Sequence, residues 1–532
     1  MAQQILRPRL VDFPAKPLIV PARAEHPVSR LLSATLPTLT PTTPVLIQAG
    51  TGVGKTSAIL EVVIPYAMEQ GLPVWFVSSR AAINAQFKQR LARKLERNDI
   101  LTDYTPEGLR HLEDIGPIKV LTYHRLWSIL NANSDEARSV GILVFDEIHA
   151  LALDATFVGF TGQLLQRIPI AFSSSLRLYL SATPEPVLPD LAQAEGTQRL
   201  TVYRWPAHYQ QFRLHFYNSH GDLIDYFNNL PHDVRALIYV PFISDGDLLQ
   251  KRLKPSCQLI SAQTKEKNPA LWAQLLETGH LDCQILIATS TLDAGVSLMD
   301  PALKHIVCYG LEPAAVLQQA GRKRLKSGER INLYLFNPSR QQLGNRLHKA
   351  LEELSALNLN FNDPKRFLKD YILGDKFPPA RLMTNVECNG TISVNSLSLA
   401  YYQREIQRLE QLLRSSSAHP AETLWCRTFK QPDSKVQQLG HQDEQEAKAQ
   451  LQTLLQQHIG LSLSSKEVQT QFAQEFQQLY TNAYGPRKND RADRTWRLAT
   501  CRNVLTSLNL GFTIISANGS WILQQQGGDL HG

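Results

Sequence analysis

The segment Ala49-Gly50-Thr51-Gly52-Val53-Gly54-Lys55-Thr56 follows the apolar run Val45-Leu46-Ile47 and precedes a helix-compatible stretch, Ser57 to Met68. A strand, a glycine-rich turn and a helix start, in that order, make a cradle for phosphate. The glycines let backbone N–H groups converge on anionic oxygens, and a helix N-terminus favours negative charge. Lys55 would neutralise the β- and γ-phosphates of a nucleoside triphosphate, and the Thr56 hydroxyl would hold Mg²⁺. Ala49 stands where the general pattern has glycine.

Downstream the chain reads Gly141-Ile142-Leu143-Val144-Phe145-Asp146-Glu147-Ile148-His149. Consecutive apolar residues fit a strand buried on both faces of a parallel sheet, with two carboxylates emerging at its C-terminal end. Ligands of such sheets sit beyond the carboxyl ends of the strands, which brings Asp146 beside Thr56. Asp146 there can hold Mg²⁺, and Glu147 can polarise the water that attacks a γ-phosphate. The pattern implies one triphosphate-hydrolysing site, since the phosphate loop occurs once.

The elements that must position these groups follow the same logic. Short apolar strands are expected at Val45–Gln48, Pro73–Val77, Lys119–Thr122, Ile142–Phe145 and Leu176–Leu180, with helical stretches between them. The alternation returns at Ala236–Val240, Gln258–Ser261, Gln284–Ala288, His305–Tyr309 and Asn332–Phe336. Strands alternating with helices imply an α/β fold with parallel sheets covered on both faces.

Read in order, these segments resemble the motif series of superfamily 2 helicases of the DExH type. Asp146-Glu147-Ile148-His149 looks like the DExH box. Val77-Ser78-Ser79-Arg80-Ala81-Ala82 with Gln86 resembles motif Ia, Leu121-Thr122-Tyr123-His124-Arg125-Leu126 motif Ib, and Leu180-Ser181-Ala182-Thr183 motif III. Ala236-Leu237-Ile238-Tyr239-Val240-Pro241 resembles motif IV, Ala288 to Val296 motif V, and Gln318-Gln319-Ala320-Gly321-Arg322 motif VI. The resemblance implies two tandem RecA-like domains, 28–205 and 206–340, after a proline-rich extension, 1–27. It implies ATP and Mg²⁺ as cofactors, bound by Ala49, Gly50, Thr51, Gly52, Val53, Gly54, Lys55 and Thr56, with Thr56 and Asp146 on the metal. Arg322 would sense the γ-phosphate across the cleft and Gln318 would contact the phosphate region from the same helix. A second arginine is usual three residues later; here that position is Leu325, with Arg324 or Lys326 as substitutes. His149, Ser181 and Thr183 would couple hydrolysis to strand grip, and Arg80, Thr122, Thr289 and Gly295 would lie nearest a nucleic-acid backbone.

A formal net charge of +7 favours a polyanionic partner. Basic residues group at Lys88, Arg90, Arg93, Lys94 and Arg97, and again at Arg487, Lys488, Arg491, Arg494, Arg497 and Arg502 around Trp496, an aromatic that could stack on an unpaired base. Single-stranded DNA is the favoured partner and RNA a possible one. No run approaches the roughly 18 apolar residues of a membrane span. Six cysteines without a CxxC pair fit a cytoplasmic protein with reduced thiols and argue against zinc.

From 341 to 532 a mostly helical accessory domain is expected, with Leu451, Leu454 and Leu455 at helical spacing inside a glutamine-rich stretch. It ends in a helix and a hairpin turned at Asn518-Gly519, which suits either a winged-helix-like unit or a structural cap. The functional expectation is an ATP-dependent nucleic-acid helicase or translocase, in DNA replication or plasmid and phage maintenance. The alternatives are a DNA-stimulated ATPase switch that does not unwind, and a CRISPR-associated type of helicase without its nuclease.

Overall fold

In the computed structural model six parallel strands carry the first half of the site: β1 (Val45–Gln48), β2 (Val74–Ser78), β3 (Ile118–Thr122), β4 (Ile142–Asp146), β5 (Leu176–Ser181) and β6 (Thr201–Arg204). Their order across the sheet is β6-β1-β5-β4-β2-β3. The structure describes residues 16–17, 27–50, 52–103, 106–132, 135–205, 209, 211–261, 263, 269–289, 292, 296–326, 328–372, 383–386, 392–415, 417, 420–431, 437–438, 444–484, 495–508, 512–517 and 519–525.

Period-2 alternation explains why the central strands β2 and β4 are apolar up to their last residue. Val74 and Phe76 of β2, with Ile142 and Val144 of β4, face one core that also holds Ile59, Val63, Phe87 and Leu91. Trp75, Val77, Leu143 and Phe145 face a second core with Leu126, Ile148, Leu164 and Leu191. These two strands thus need hydrophobes on both faces, because helices cover both. Within the proline-rich extension, Lys16–Pro17 pairs in parallel with β6 at the sheet edge.

A second parallel sheet contains β7 (Arg235–Tyr239), β8 (Cys257–Ile260), β9 (Ile285–Ala288), β10 (Leu303–Cys308) and β11 (Ile331–Phe336), in the order β8-β9-β7-β10-β11. All ten expected strands are present, displaced at their ends by a residue or two. The fold is the expected α/β pair of parallel sheets. Among the described residues no helix is long and apolar enough to cross a membrane.

The division by contacts falls elsewhere than the sequence suggested. One unit comprises 1–214 and 231–436, the other 215–230 and 437–532. Helices beyond residue 340 therefore belong to the unit with the first sheet, and Asn395 shows how. Its buried side chain donates to the carbonyls of Ala155 and Val158 and to Thr161 Oγ1, and accepts from the Gly162 N–H. It also caps the helix Ser396–Arg414. A Cβ on Gly162 would lie 2.4 Å from Ser396 Oγ and 2.6 Å from Asn395 Oδ1, so only glycine fits there.

The second unit packs Leu451, Leu454, Leu455, Phe472, Phe476, Trp496, Val504, Leu505 and Ile514 into one core. Trp496 is therefore not the exposed base-stacking ring that its basic neighbours suggested. Its ring meets Phe476 at 5.7 Å and Tyr480 at 5.1 Å. Arg487, Lys488, Arg491 and Arg494 lie outside the described residues.

Gly162→Ala is expected to destabilise the first unit by about 1–3 kcal/mol, the cost of overpacking a fitted contact. Gly344→Ala is the control: its Cβ meets nothing within 4 Å inside the helix Arg340–Asn362, so helix propensity alone adds about 1 kcal/mol of stability. Thermal unfolding of the two variants should shift in opposite directions.

Candidate functional site

The phosphate loop is built as a turn that only glycine tolerates at two points. Gly52 and Gly54 have φ of 82° and 85°, in the left-handed region. Gly54 caps the helix that begins at Lys55, which passes through a π-helical turn at Ile59–Val63 and ends at Glu69. Ala49 is fully buried, and its N–H donates to the Ser181 carbonyl, which fastens the loop to β5. The Lys55 ammonium donates to the carbonyls of Ala49 (2.9 Å) and Gly50 (3.2 Å) and lies 3.8 Å from Glu147 Oε1. Lys55 is thus held at the mouth of the loop before any phosphate arrives. Thr51 lies outside the described residues; Thr56 follows Lys55 in the first helical turn.

Asp146 ends β4 and is buried, its Oδ1 accepting from the Glu147 N–H at 3.1 Å. Glu147 has φ of 52°, rare for a side-chain-bearing residue and costly by about 1–3 kcal/mol. The turn aims its carboxylate at Lys55 on one side and at His149 Nδ1, 3.3 Å away, on the other. Burial, then the charge of Glu147, push the Asp146 carboxyl up to about 7. Burial opposes ionisation of Glu147 as well, but Lys55, His149 and Arg322 outweigh it and hold that carboxyl well below the usual range. Burial and unequal access to cations thus drive two adjacent carboxyls in opposite directions.

From Glu147 a buried line of polar contacts leads to the second sheet. His149 Nδ1 lies 2.9 Å from Ser181 Oγ, and Ser181 Oγ accepts from the Thr183 N–H at 3.0 Å. Gln318 Nε2 donates to Thr183 Oγ1 at 3.1 Å, and Arg322 Nη2 donates to Gln318 Oε1 at 2.8 Å. Gln318 rides on the helix Pro313–Ala320, capped by Glu312. The Gln318 amide thus joins Thr183 to Arg322. Arg322 is buried, and its Nε has no hydrogen-bond partner.

A cavity of about 430 Å³ separates the phosphate loop, at Gly50 and Gly52, from Gly321 and Arg324, with Trp205 and Tyr209 along the same wall. Arg324 and Lys326, the two substitutes for a second arginine, are placed differently. The Arg324 Nε donates to Ser297 Oγ at 3.1 Å, whereas Nη1 is buried without a partner and sits 3.7 Å from where a Gly52 Cβ would be. Burial and the neighbouring Arg322 lower its pKa, a cation short of a counter-anion. Lys326 is exposed. Lys323 is buried and spent on the Asp300 carbonyl and Glu329. Sequence reasoning missed Trp205 and Tyr209, which carry no motif spacing.

Arg80 and Thr122 follow neighbouring strands, since Ser78 of β2 pairs with Thr122 of β3. Arg80 makes two 2.7 Å bonds to buried Asp154, which also accepts from Tyr123 Oη, leaving about a third of the arginine side chain exposed. Thr122 caps the helix Tyr123–Asn131 by accepting the Arg125 N–H. Thr289 is buried at the end of β9, and Gly295 lies outside the described residues. Of the expected basic face, Lys88 points inward: it is buried, donates to the Leu109 carbonyl, and burial lowers its pKa to about 8.

Residues 31–191 match the DEAD/DEAH box helicase family. No curated protein matches the chain. Among solved structures it is similar to the helicase Lhr of Mycobacterium smegmatis bound to single-stranded DNA and AMP-PNP, at 21% identity and a TM-score of 0.42 over 59% of this chain and 48% of that one. It therefore spans about half of the Lhr chain. It is also similar to the DEAD-box helicase Mss116 bound to single-stranded RNA and UDP-BeF, at 14% identity and a TM-score of 0.47 over 77% and 87%. A third is S. cerevisiae Dbp5 bound to RNA and ADP-BeF3, at 15% identity and a TM-score of 0.41 over 55% and 79%. On this match, residues 31–191 carry a DEAD/DEAH box helicase domain.

Proposed function

We propose that this protein is an ATP-dependent motor that moves on, and separates, strands of nucleic acid, with single-stranded DNA as its track. The observation that carries the reading is the buried contact line from Glu147 through His149, Ser181, Thr183 and Gln318 to Arg322. In this reading it ties the water-activating Glu147 to the phosphate-sensing Arg322. A change at either end must then be felt at the other, which a motor needs and a simple phosphatase does not.

In this reading the phosphate loop and Lys55 bind the β- and γ-phosphates. Glu147, kept ionised by its cationic neighbours, accepts the proton of the attacking water. Arg322 and Arg324 compensate the charge that develops on the transferred phosphoryl group. Thr56 and Asp146 suit Mg²⁺: a hydroxyl and a buried carboxylate are hard oxygen donors. When bound, that ion would neutralise phosphate charge. Strand grip falls to Arg80 and Thr122, with Thr289 and Gly295 as the contributors from the second half of the sequence. Setting in replication or plasmid and phage maintenance, in the cytoplasm, belongs to this proposal.

A switch that hydrolyses ATP without unwinding uses the same site, and a strand-displacement assay separates the two. ATP-fuelled displacement supports the motor, and DNA-stimulated turnover without displacement supports the switch. Lys55→Ala should abolish hydrolysis with single-stranded DNA, duplex DNA and RNA alike; retained turnover would place the site elsewhere.

Arg322→Ala should lower kcat by roughly a thousandfold or more, as removal of a phosphoryl-sensing arginine does. Arg324→Ala should lower it by roughly tenfold or more, with partial recovery in Arg324→Lys and none of these losses in Lys326→Ala. Equal effects at 324 and 326 would contradict the assignment of the second cation.

Ser181→Ala removes the shared oxygen in the middle of the contact line. Hydrolysis should persist within about tenfold while displacement per ATP falls, because coupling through such a network is worth about 0.5–2 kcal/mol. Parallel loss of both would show that Ser181 serves catalysis alone.

A further inference from the structure

The second unit has an element order that the first does not use. Helix Glu444–Gln457 leads to strand Ser462–Leu463, helix Lys466–Tyr484, helix Leu498–Leu508 and a hairpin of Phe512–Ala517 with Ser520–Gln525. The short first strand pairs antiparallel with the last (Ser462↔Ile522, Leu463↔Trp521), and the last pairs with the middle one from Phe512↔Gln525 to Ala517↔Ser520. Three helices, a sheet in the order first-third-second and a terminal hairpin describe a winged helix, in which the third helix is free to enter a groove.

The chemistry of that third helix decides what groove. Cys501, Val504 and Leu505 form its buried side within the unit's own core. Arg497, just before it, and Ala499, Asn503 and Thr506 are exposed. That outer face offers an amide, a hydroxyl and a guanidinium, and no large hydrophobe. A protein-docking helix needs apolar anchors, which are missing here. From residue 495 to 525 the sequence contains no Asp or Glu, and residues 485–494 add Arg487, Lys488, Arg491 and Arg494 against Asp490 and Asp493. A helix with short polar side chains and no carboxylate suits the major groove of B-form DNA, whose width admits it. The major groove of A-form RNA is too narrow and deep.

We propose that this unit binds duplex DNA, with the helix Leu498–Leu508 in the major groove. Asn503 and Thr506 meet base edges, Arg497 meets a flanking phosphate, and the hairpin tip at Gly519, with φ of 80°, lies along the adjacent backbone. The inference goes beyond the motor reading and does not depend on it, because binding is measured without nucleotide.

The test is fluorescence anisotropy of the full chain with a short labelled DNA duplex, the matching RNA duplex and a single strand. The unaltered chain should prefer the DNA duplex to the RNA duplex. Asn503→Asp should weaken DNA-duplex binding by roughly tenfold or more. Arg497→Gln should reduce the slope of log K against log salt by about one. Both should leave single-strand affinity within about twofold and thermal unfolding unchanged, as exposed positions allow. Unchanged duplex affinity in both folded variants, equal binding of the RNA duplex, or parallel loss on single strands would each overturn the proposal. Loss of ATP hydrolysis in Lys55→Ala bears only on the first unit, so the two readings fail separately.

Discussion

The site is organised by desolvated charge. Lys55, Asp146 and Arg322 are buried, with Glu147 between Lys55 and His149 and Arg324 packed against the phosphate loop. Three cations outnumber two carboxylates, and burial works against the ionised form of both acids. Such a cluster is stable only when its members compensate one another, since a buried polar group without a partner costs about 1–3 kcal/mol. Arg322 Nε and Arg324 Nη1 have no such partner. In the motor proposed above, a triphosphate would bring negative charge to the wall that Arg324 lines. The cleft therefore holds more buried positive than negative charge.

That balance of charge explains the strained backbone at Glu147. A residue at φ of 52° persists only where its surroundings over-determine it. Here Asp146 accepts its N–H, Ile148 donates to the Leu180 carbonyl, and Lys55 and His149 take its carboxylate. The turn lets one strand end deliver two acids with opposite tendencies to ionise. It also brings His149 within reach of Ser181, where the contact line to Gln318 begins.

Much of this was legible in the sequence, for definite reasons. A strand buried on both faces has to be apolar on both, so β2 and β4 announce themselves. The phosphate loop is legible because its turn requires glycine at 52 and 54. Arg324 was ambiguous because its role depends on how residues after Gly321 leave the helix, and spacing says nothing of that. Here Leu298 donates to the Arg322 carbonyl and Arg324 donates back to Leu298, which sets residues 322–324 beside the loop after β9 and turns Arg324 towards Gly52. Asn395 and Trp496 were misjudged or unseen for a related reason. Their partners lie far off in sequence, Gly162 for one and Phe476 for the other, and a local reading of polar or basic neighbours cannot find them.

The helix Ser396–Arg414 extends the same constraint outward from the cleft. Asn395 seats its start on residues 155–162 beneath the first sheet. One turn-multiple later Arg404 donates to the Pro186 carbonyl and pairs with Asp190, still on the first-sheet side. Arg408, on the same face four residues on, reaches the Leu311 carbonyl and pairs with Glu312. Glu312 is also the N-cap of the helix that carries Gln318. A single rigid helix thus fixes the origin of the Gln318 helix relative to the sheet that carries Glu147. Any rotation of one sheet against the other has to break the Arg404 or the Arg408 contacts, or move Asn395 out of a site whose hydrogen bonds it completes. Because Asn395 is the most deeply buried and most fully bonded of the three, the arginine contacts farther along the helix are the ones such a rotation would break first.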